Sequence, residues 1–155
     1  MIWMSLNYLR CLRLFRELTE CGASEIHGID VSPKMAELAG RRFSDDPRIS
    51  VSNEDFFRHF IPGYDVIMAF SVYDHFADPE EFLFHAHLLL GQGGRLTVAF
   101  PNDWVTTNLL NEEVPEGITR RIAFAEREAL YWQKYFKVDC ICDNRSIYLI
   151  SGVCR

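Results

Sequence analysis

The sequence predicts an α/β fold: a doubly wound, mostly parallel sheet with an antiparallel hairpin at its C-terminal end. Three observations predict it. Apolar stretches of strand length alternate with stretches in which apolar residues recur at intervals of three and four. The run at 64–70 is almost continuously apolar, the pattern of a strand covered on both faces. Two strand-like segments near the end are joined by so few residues that they must run antiparallel. A chain of 155 residues, 48% of them hydrophobic, suits one domain over 1–155. At this size folding buries roughly two-thirds of the surface exposed by the unfolded chain, so a core forms without disulfides.

Each element has its own signal. Ile2, Met4, Leu6 and Tyr8 alternate, but the segment lacks the turn expected after a first strand, so that strand is atypical or missing. Residues 9–21 place Cys11, Leu14, Leu18 and Cys21 on one helical face, and Gly22 is the stop. A strand over 25–29 ends at Asp30. Ser32 and Pro33 then supply the N-cap and first position of a helix burying Met35, Leu38 and Ala39, with Phe43 at its end. Strands follow at 48–52 and 64–70, the second of them central. Asp78, Pro79 and Glu81 have the spacing of a capping box, before a buried stripe of Phe82, Ala86, Leu89 and Leu90. Gly91 ends this helix, and Gly93-Gly94 turns into a strand over 95–100. Residues 101–117 are polar and long for a connection, which predicts a lid loop. A helix over 126–135, a strand over 137–142, a turn at Asp143-Asn144 and a strand over 146–154 complete the chain.

Composition excludes several classes. With 16 basic and 22 acidic side chains the formal net charge is -6, and Arg41-Arg42 and Arg120-Arg121 are pairs rather than runs, which argues against a nucleic-acid partner. No apolar run approaches the ~20 residues of a bilayer span, so a cytoplasmic protein without a membrane partner is expected. Five cysteines, an odd number at low density, read as reduced thiols. Cys140 and Cys142 share a strand face, but two donors make no metal site. The oligomeric state is left open.

Ligands of doubly wound sheets bind at the carboxyl ends of the strands. Four places qualify: Asp30, Asn53-Glu54-Asp55-Phe56, Ala69-Phe70-Ser71 and Phe100-Pro101-Asn102. In order, His27-Gly28-Ile29-Asp30-Val31-Ser32-Pro33-Lys34-Met35, Asn53-Glu54-Asp55-Phe56, the segment 64–76 and the glycine turn within 88–96 resemble the class I S-adenosylmethionine-dependent methyltransferases, which have a Rossmann-like fold. The resemblance covers most of the chain. It implies S-adenosylmethionine as cofactor. It also implies seven cofactor-binding residues: Asp30 as acceptor of both ribose hydroxyls, Val31 packed on the adenine, Met35 in the helix that follows, Asp55 receiving the adenine amine beside Phe56, and Phe70 and Ser71 at the end of the fourth family strand and its turn. The sequence departs from the family at 4–12, which holds no glycine where the family has its glycine-rich first turn.

The implied reaction is methyl transfer to a small-molecule acceptor, by in-line displacement from an already activated sulfonium, so that positioning does most of the catalysis. His75, with an ordinary pKa near 6.5, is the candidate catalytic base; Tyr73, Asp74 and Asp103 are weaker ones. No Asn-Pro-Pro-aromatic segment follows the fourth family strand, which tilts the acceptor atom toward oxygen or carbon. Local roles compete with these. Asp30 equally suits the start of the Ser32-Pro33 helix, Asp55 a surface turn, and His75 a structural position. Two other classes remain open: a nicotinamide dinucleotide-binding domain, and a non-catalytic methyltransferase-like protein kept as a partner or remnant.

Overall fold

The computed structural model describes residues 8–155, with side chains from Leu14 onward. The strand expected in the opening segment lies outside the described residues, apart from Tyr8, which begins a helix. In chain order the elements are α1 (Tyr8–Glu20), β1 (Ile26–Asp30), α2 (Pro33–Arg42), β2 (Ile49–Asn53), β3 (Tyr64–Phe70) and α3 (Pro79–Leu89). There follow β4 (Leu90–Phe100), α4 (Trp104–Asn111), α5 (Ala125–Trp132), β5 (Phe136–Asn144) and β6 (Ile147–Cys154). Single 3-10 turns lie at Phe56–Arg58 and Tyr73–His75.

The helix starts form for the reasons legible in the sequence. Ser32 Oγ accepts from the Met35 amide at 3.4 Å, and Asp78 Oδ1 accepts from the amides of Glu80 and Glu81 at 2.8 and 3.3 Å. Pro33 and Pro79 stand next to these caps, where a missing N–H costs nothing.

β1 and β2 pair in parallel, from Ile26 opposite Ile49 to Asp30 opposite Asn53. The other strands form a sheet in the order β3-β4-β6-β5, parallel between β3 and β4 and antiparallel between the rest. Among the described residues no strand pairs β1 with β3, and side chains join the two sheets instead. Period-two alternation sends Ile67 and Ala69 of β3 into the larger core, while Val66 and Met68 pack with Phe15, Ile26 and Ala39 beneath α1 and α2. The larger core holds Tyr73, Phe82, Trp132, Phe136 and Tyr148 between the sheet and α3 and α5. Helices thus cover both faces, as a doubly wound sheet requires.

Three segments differ from their sequence reading. α3 ends at Leu89, and β4 begins at Leu90. Tyr64 pairs with Leu90 and Val66 with Arg95, so residues 91–94 form a bulge inside the strand rather than a turn before it. The final turn lies at Arg145-Ser146, two residues later than expected, because the Asn144 side chain accepts the Ser146 amide at 2.9 Å. The polar stretch 101–117, expected as an irregular lid loop, contains α4, started by Asp103 accepting from the Thr106 amide at 2.8 Å. Val105, Leu109 and Leu110 of this helix are exposed, so it carries no continuous buried stripe that periodicity would reveal.

α1 approaches β1 closely at Gly28, where a Cβ would sit 2.9 Å from Cζ of the fully buried Phe15. Beside it, His27 bridges the strand pairs: Nε2 lies 2.7 Å from Ser52 Oγ and Nδ1 3.2 Å from the Tyr64 hydroxyl. The same hydroxyl meets His59 Nε2, and His59 Nδ1 lies 3.0 Å from Glu54 Oε2. Burial, with the nearby His59, lowers the His27 pKa; burial and the charge of Glu54 push Tyr64 up to about 12. No helix among the described residues is long and apolar enough to cross a membrane.

Two predictions follow from this corner of the fold. Gly28→Ala forces the Phe15 ring to move and should cost about 1–3 kcal/mol in urea unfolding, the range for overpacking a core. His27 keeps a folded pKa below 6.5, so the unfolded chain binds the extra proton first and stability falls as pH drops through that value. The urea midpoint should therefore fall between about pH 7.5 and 5.5, and by less in His27→Asn.

Candidate functional site

Two adjoining cavities open at the carboxyl ends of the strands, the position where doubly wound sheets bind ligands. The first, of about 280 Å3, lies beyond β1 and β2. Asp30 lines it and also shapes its wall, because Oδ1 accepts from the Ser32 amide at 2.6 Å and so bends the chain from β1 into α2. The Asp30 carbonyl accepts from the Glu54 amide at 3.0 Å and from Asn53 Nδ2 at 2.9 Å, locking the end of β2 beside it. Asp55 Oδ1 accepts from the Phe57 amide at 3.0 Å and caps the 3-10 turn that carries Phe56. Phe56 is the floor, its ring centroid 5.5 Å from Phe76, 5.3 Å from Phe82 and 4.9 Å from His85. The result is an apolar slot with carboxylates on one rim. A flat heteroaromatic base fits the slot, and a diol fits the rim.

The second cavity, of about 260 Å3, lies between the ends of β3 and β4 and the inner side of α4. His75 lines both cavities. Its side chain is 45% exposed, with Nε2 4.0 Å from Oδ1 of Asp74, whose own side chain is only 5% exposed. The other oxygen, Asp74 Oδ2, accepts from Asn111 Nδ2 at 2.7 Å. Ser71 has a positive φ of 54°, a left-handed conformation that is uncommon outside glycine, and its amide donates to the Ala99 carbonyl at 2.8 Å.

A buried ion pair fixes the chain around this junction. Glu128 accepts from Arg120 at 3.0 and 3.3 Å, from the Tyr73 hydroxyl at 3.1 Å and from the Ala123 amide at 3.0 Å. The Arg120 guanidinium lies 4.6 Å above the Tyr73 ring, and its Nε donates to the Phe76 carbonyl at 3.0 Å. The Arg120 amide donates to the Asp74 carbonyl at 2.8 Å. Burial would lower the Arg120 pKa, but its bond to Glu128 together with the charges of Tyr73, Glu128 and Tyr148 outweighs that, and the net direction is up. Burial, reinforced by the Glu128 charge, raises Tyr73. Tyr73 is therefore a neutral anchor, unsuited to act as a base.

The structure brings most of the sequence-derived candidates together. Asp30, Val31, Asp55, Phe56 and His75 all line the first cavity. Met35 does not: helical spacing turns it toward Phe15, Ile26 and Ala39. Phe70 does not either, since strand alternation puts it on the Val66 and Met68 side of β3, and Ser71 lines the second cavity instead. Asp103 serves as the α4 cap, and hydrogen bonding from the Thr106 side chain, with that from the Thr106 amide, lowers its pKa. Sequence reasoning missed Thr107 and Asn111, for which the Asp103 cap was the available signal. No group of three or more His, Cys, Asp or Glu side chains among the described residues is arranged to hold a metal. Cys140 is exposed, and the β5 register shifts between Val138 and Cys140.

Fold and cavities together define an α/β protein with two adjoining cavities at its strand ends, where doubly wound sheets hold ligands. Residues 10–96, more than half of the chain, match the methyltransferase domain family, and the chain belongs to that family. A protein from transposon TN4556 of Streptomyces fradiae, described as uncharacterized, is 33% identical over 106 residues, 64% of this chain and 30% of that protein. The matched region thus spans less than a third of that relative's length. Solved structures share the fold. One is the complex between the Haloferax volcanii Trm112 methyltransferase activator and a putative methyltransferase (TM-score 0.80, 17% identity, covering 99% of this chain and 82% of that one). A second is the N-methyltransferase NodS from Bradyrhizobium japonicum with S-adenosyl-L-homocysteine (TM-score 0.71, 16% identity, 99% and 77% covered). A third is a putative S-adenosylmethionine-dependent methyltransferase from Listeria monocytogenes (TM-score 0.71, 13% identity, 99% and 91% covered). The family match sets aside the nicotinamide-domain reading.

Glu128→Ala would leave Arg120 buried with its partner gone. In urea unfolding it should cost on the order of 3–5 kcal/mol, whereas removing both charges together, in Arg120→Met with Glu128→Leu, should cost distinctly less.

Proposed function

We propose that this chain is an S-adenosylmethionine-dependent methyltransferase acting on a small-molecule acceptor, and that it works in the cytoplasm. The observation that carries the reading is the first cavity, where an apolar slot and a strand-end carboxylate meet in a chain of the methyltransferase family. The donor set suits the cofactor. Asp30 would accept both ribose hydroxyls while keeping its bond to the Ser32 amide. Phe56 and Val31 would enclose the adenine, and Asp55 would take its amine; each of these side chains lines the slot.

When bound, S-adenosylmethionine supplies a methyl carbon already activated by its sulfonium, so the chain has little bond chemistry to add. Its residues position and exclude water. His75, on the rim shared by both cavities, would take a proton from an acceptor placed in the second one. Met35, which packs in the smaller core, and Phe70, which lines neither cavity, have no part in this reading. Ser71 belongs to the acceptor side. α4, which forms the outer wall of the second cavity, would act as the lid.

Calorimetric titration with S-adenosylhomocysteine tests the proposal, with the nicotinamide dinucleotides as controls. Saturable binding of the first alone is expected. Asp30→Ala should weaken it by about 1.5–3 kcal/mol, roughly 10- to 150-fold, the scale of charged hydrogen bonds. Asp30→Asn, which retains an acceptor for the Ser32 amide, should lose affinity with little change in melting temperature. Absence of saturable binding would leave a non-catalytic methyltransferase-like protein.

A further inference from the structure

Three buried side-chain oxygens, Ser71 Oγ, Asp74 Oδ1 and Thr107 Oγ1, have no hydrogen-bond partner among the described residues, and the residues that carry them line one cavity. Buried polar atoms are normally satisfied, so three orphans around one space point to what that space is shaped to receive. They come from separate segments, the turn after β3, the 3-10 turn and α4, and no single local conformation accounts for them.

All three can accept a hydrogen bond, and one belongs to a carboxylate. No Lys or Arg lines the cavity. Asn111, which donates to the other Asp74 oxygen, is uncharged, and Arg120 meets Asp74 through its backbone amide while its guanidinium is committed to Glu128. His75 Nε2, at 4.0 Å, is beyond hydrogen-bond distance of Oδ1. A group with several N–H donors and a positive charge complements this arrangement; a carboxylate or phosphate does not. Phe100, Pro101, Leu110 and Val114 supply an apolar part of the remaining wall, and the uncharged amide of Asn102 a polar one. The family match ends at residue 96, before α4 and this apolar wall.

We propose that the second cavity binds a primary amine with a compact apolar body, its ammonium held by Asp74, Thr107 and Ser71, and that this molecule is the methyl acceptor. The acceptor role rests on the methyltransferase reading above; recognition of the amine does not. Asp74 is the specificity-determining residue; for transfer the bound ammonium would give one proton to His75, and the freed nitrogen lone pair would form the N–C bond as the methyl–sulfonium bond breaks, with S-adenosylhomocysteine leaving.

Titrations of the 15N-labelled protein with 2-phenylethylamine and with its isostere 2-phenylethanol test this, each followed by NMR with and without S-adenosylhomocysteine. The amine should bind at least about tenfold more tightly, as expected for a charge-assisted bond, and shift the amides of Ser71, Asp74 and Thr107. Folded Asp74→Asn should lose that preference. Thr107→Val, which keeps shape and removes only an orphan oxygen, should reduce it several-fold, and it decides the matter if Asp74→Asn does not fold. No amine binding up to about 10 mM, equal affinity for the alcohol, or a preference that survives these substitutions would overturn the proposal. If the preference is absent while S-adenosylhomocysteine still binds, the amine site falls and the methyltransferase reading stands. If the preference is present without S-adenosylhomocysteine binding, the amine site stands and the transfer reaction falls.

Discussion

The contact between Arg120 and Glu128 organises the side of the molecule on which both cavities open. Glu128 is almost fully buried on α5, a place where an unpaired carboxylate would not be tolerated. Its four donors come from the 3-10 turn after β3 and from the strand-like stretch before α5, so satisfying one carboxylate fixes two distant pieces of chain. Arg120 extends the reach by stacking on Tyr73 and tying the Phe76 and Asp74 carbonyls. The residues that separate the cavities, Asp74 and His75, are thus held by a polar network rather than by apolar packing, and their neighbour Tyr73 is kept neutral by its burial.

The first cavity depends on a different device, the conversion of strand ends into turns by short acidic side chains. Asp30 and Asp55 each spend an oxygen on a backbone amide two residues ahead, and both still line the slot. Local capping and ligand contact are therefore compatible in the same carboxylate, because a carboxylate has more acceptor sites than one amide uses. The choice posed by the sequence, helix start or binding residue, dissolves at these two positions.

Much of the fold was legible because its cues are local. Ser32-Pro33 and Asp78-Pro79 announce helix starts, the apolar run 64–70 announces a covered strand, and the closing hairpin leaves no other pairing. The first cavity was legible for the same reason, since its residues stand at strand ends that periodicity locates. The second was not. Its walls join Ser71, Asp74 and Thr107 across more than thirty positions of sequence, and the helix carrying Thr107 exposes its apolar residues instead of burying them. Met35 was misplaced because a motif fixes a residue's position along a helix, whereas the direction of the side chain is set by what packs beneath it.

α4 is joined to the rest of the chain near its middle by Asn108, whose amide group donates to the Ile122 carbonyl at 2.8 Å and accepts from the Ile122 amide at 3.0 Å. Such a paired bond imitates one rung of a β-ladder and fixes the helix axis whatever side chains flank it. Thr107, Leu110 and Asn111 are then free to vary as a set, like interchangeable teeth on a fixed shaft. A lineage carrying this scaffold can reshape the second cavity through a handful of substitutions in one short helix while the first cavity stays untouched.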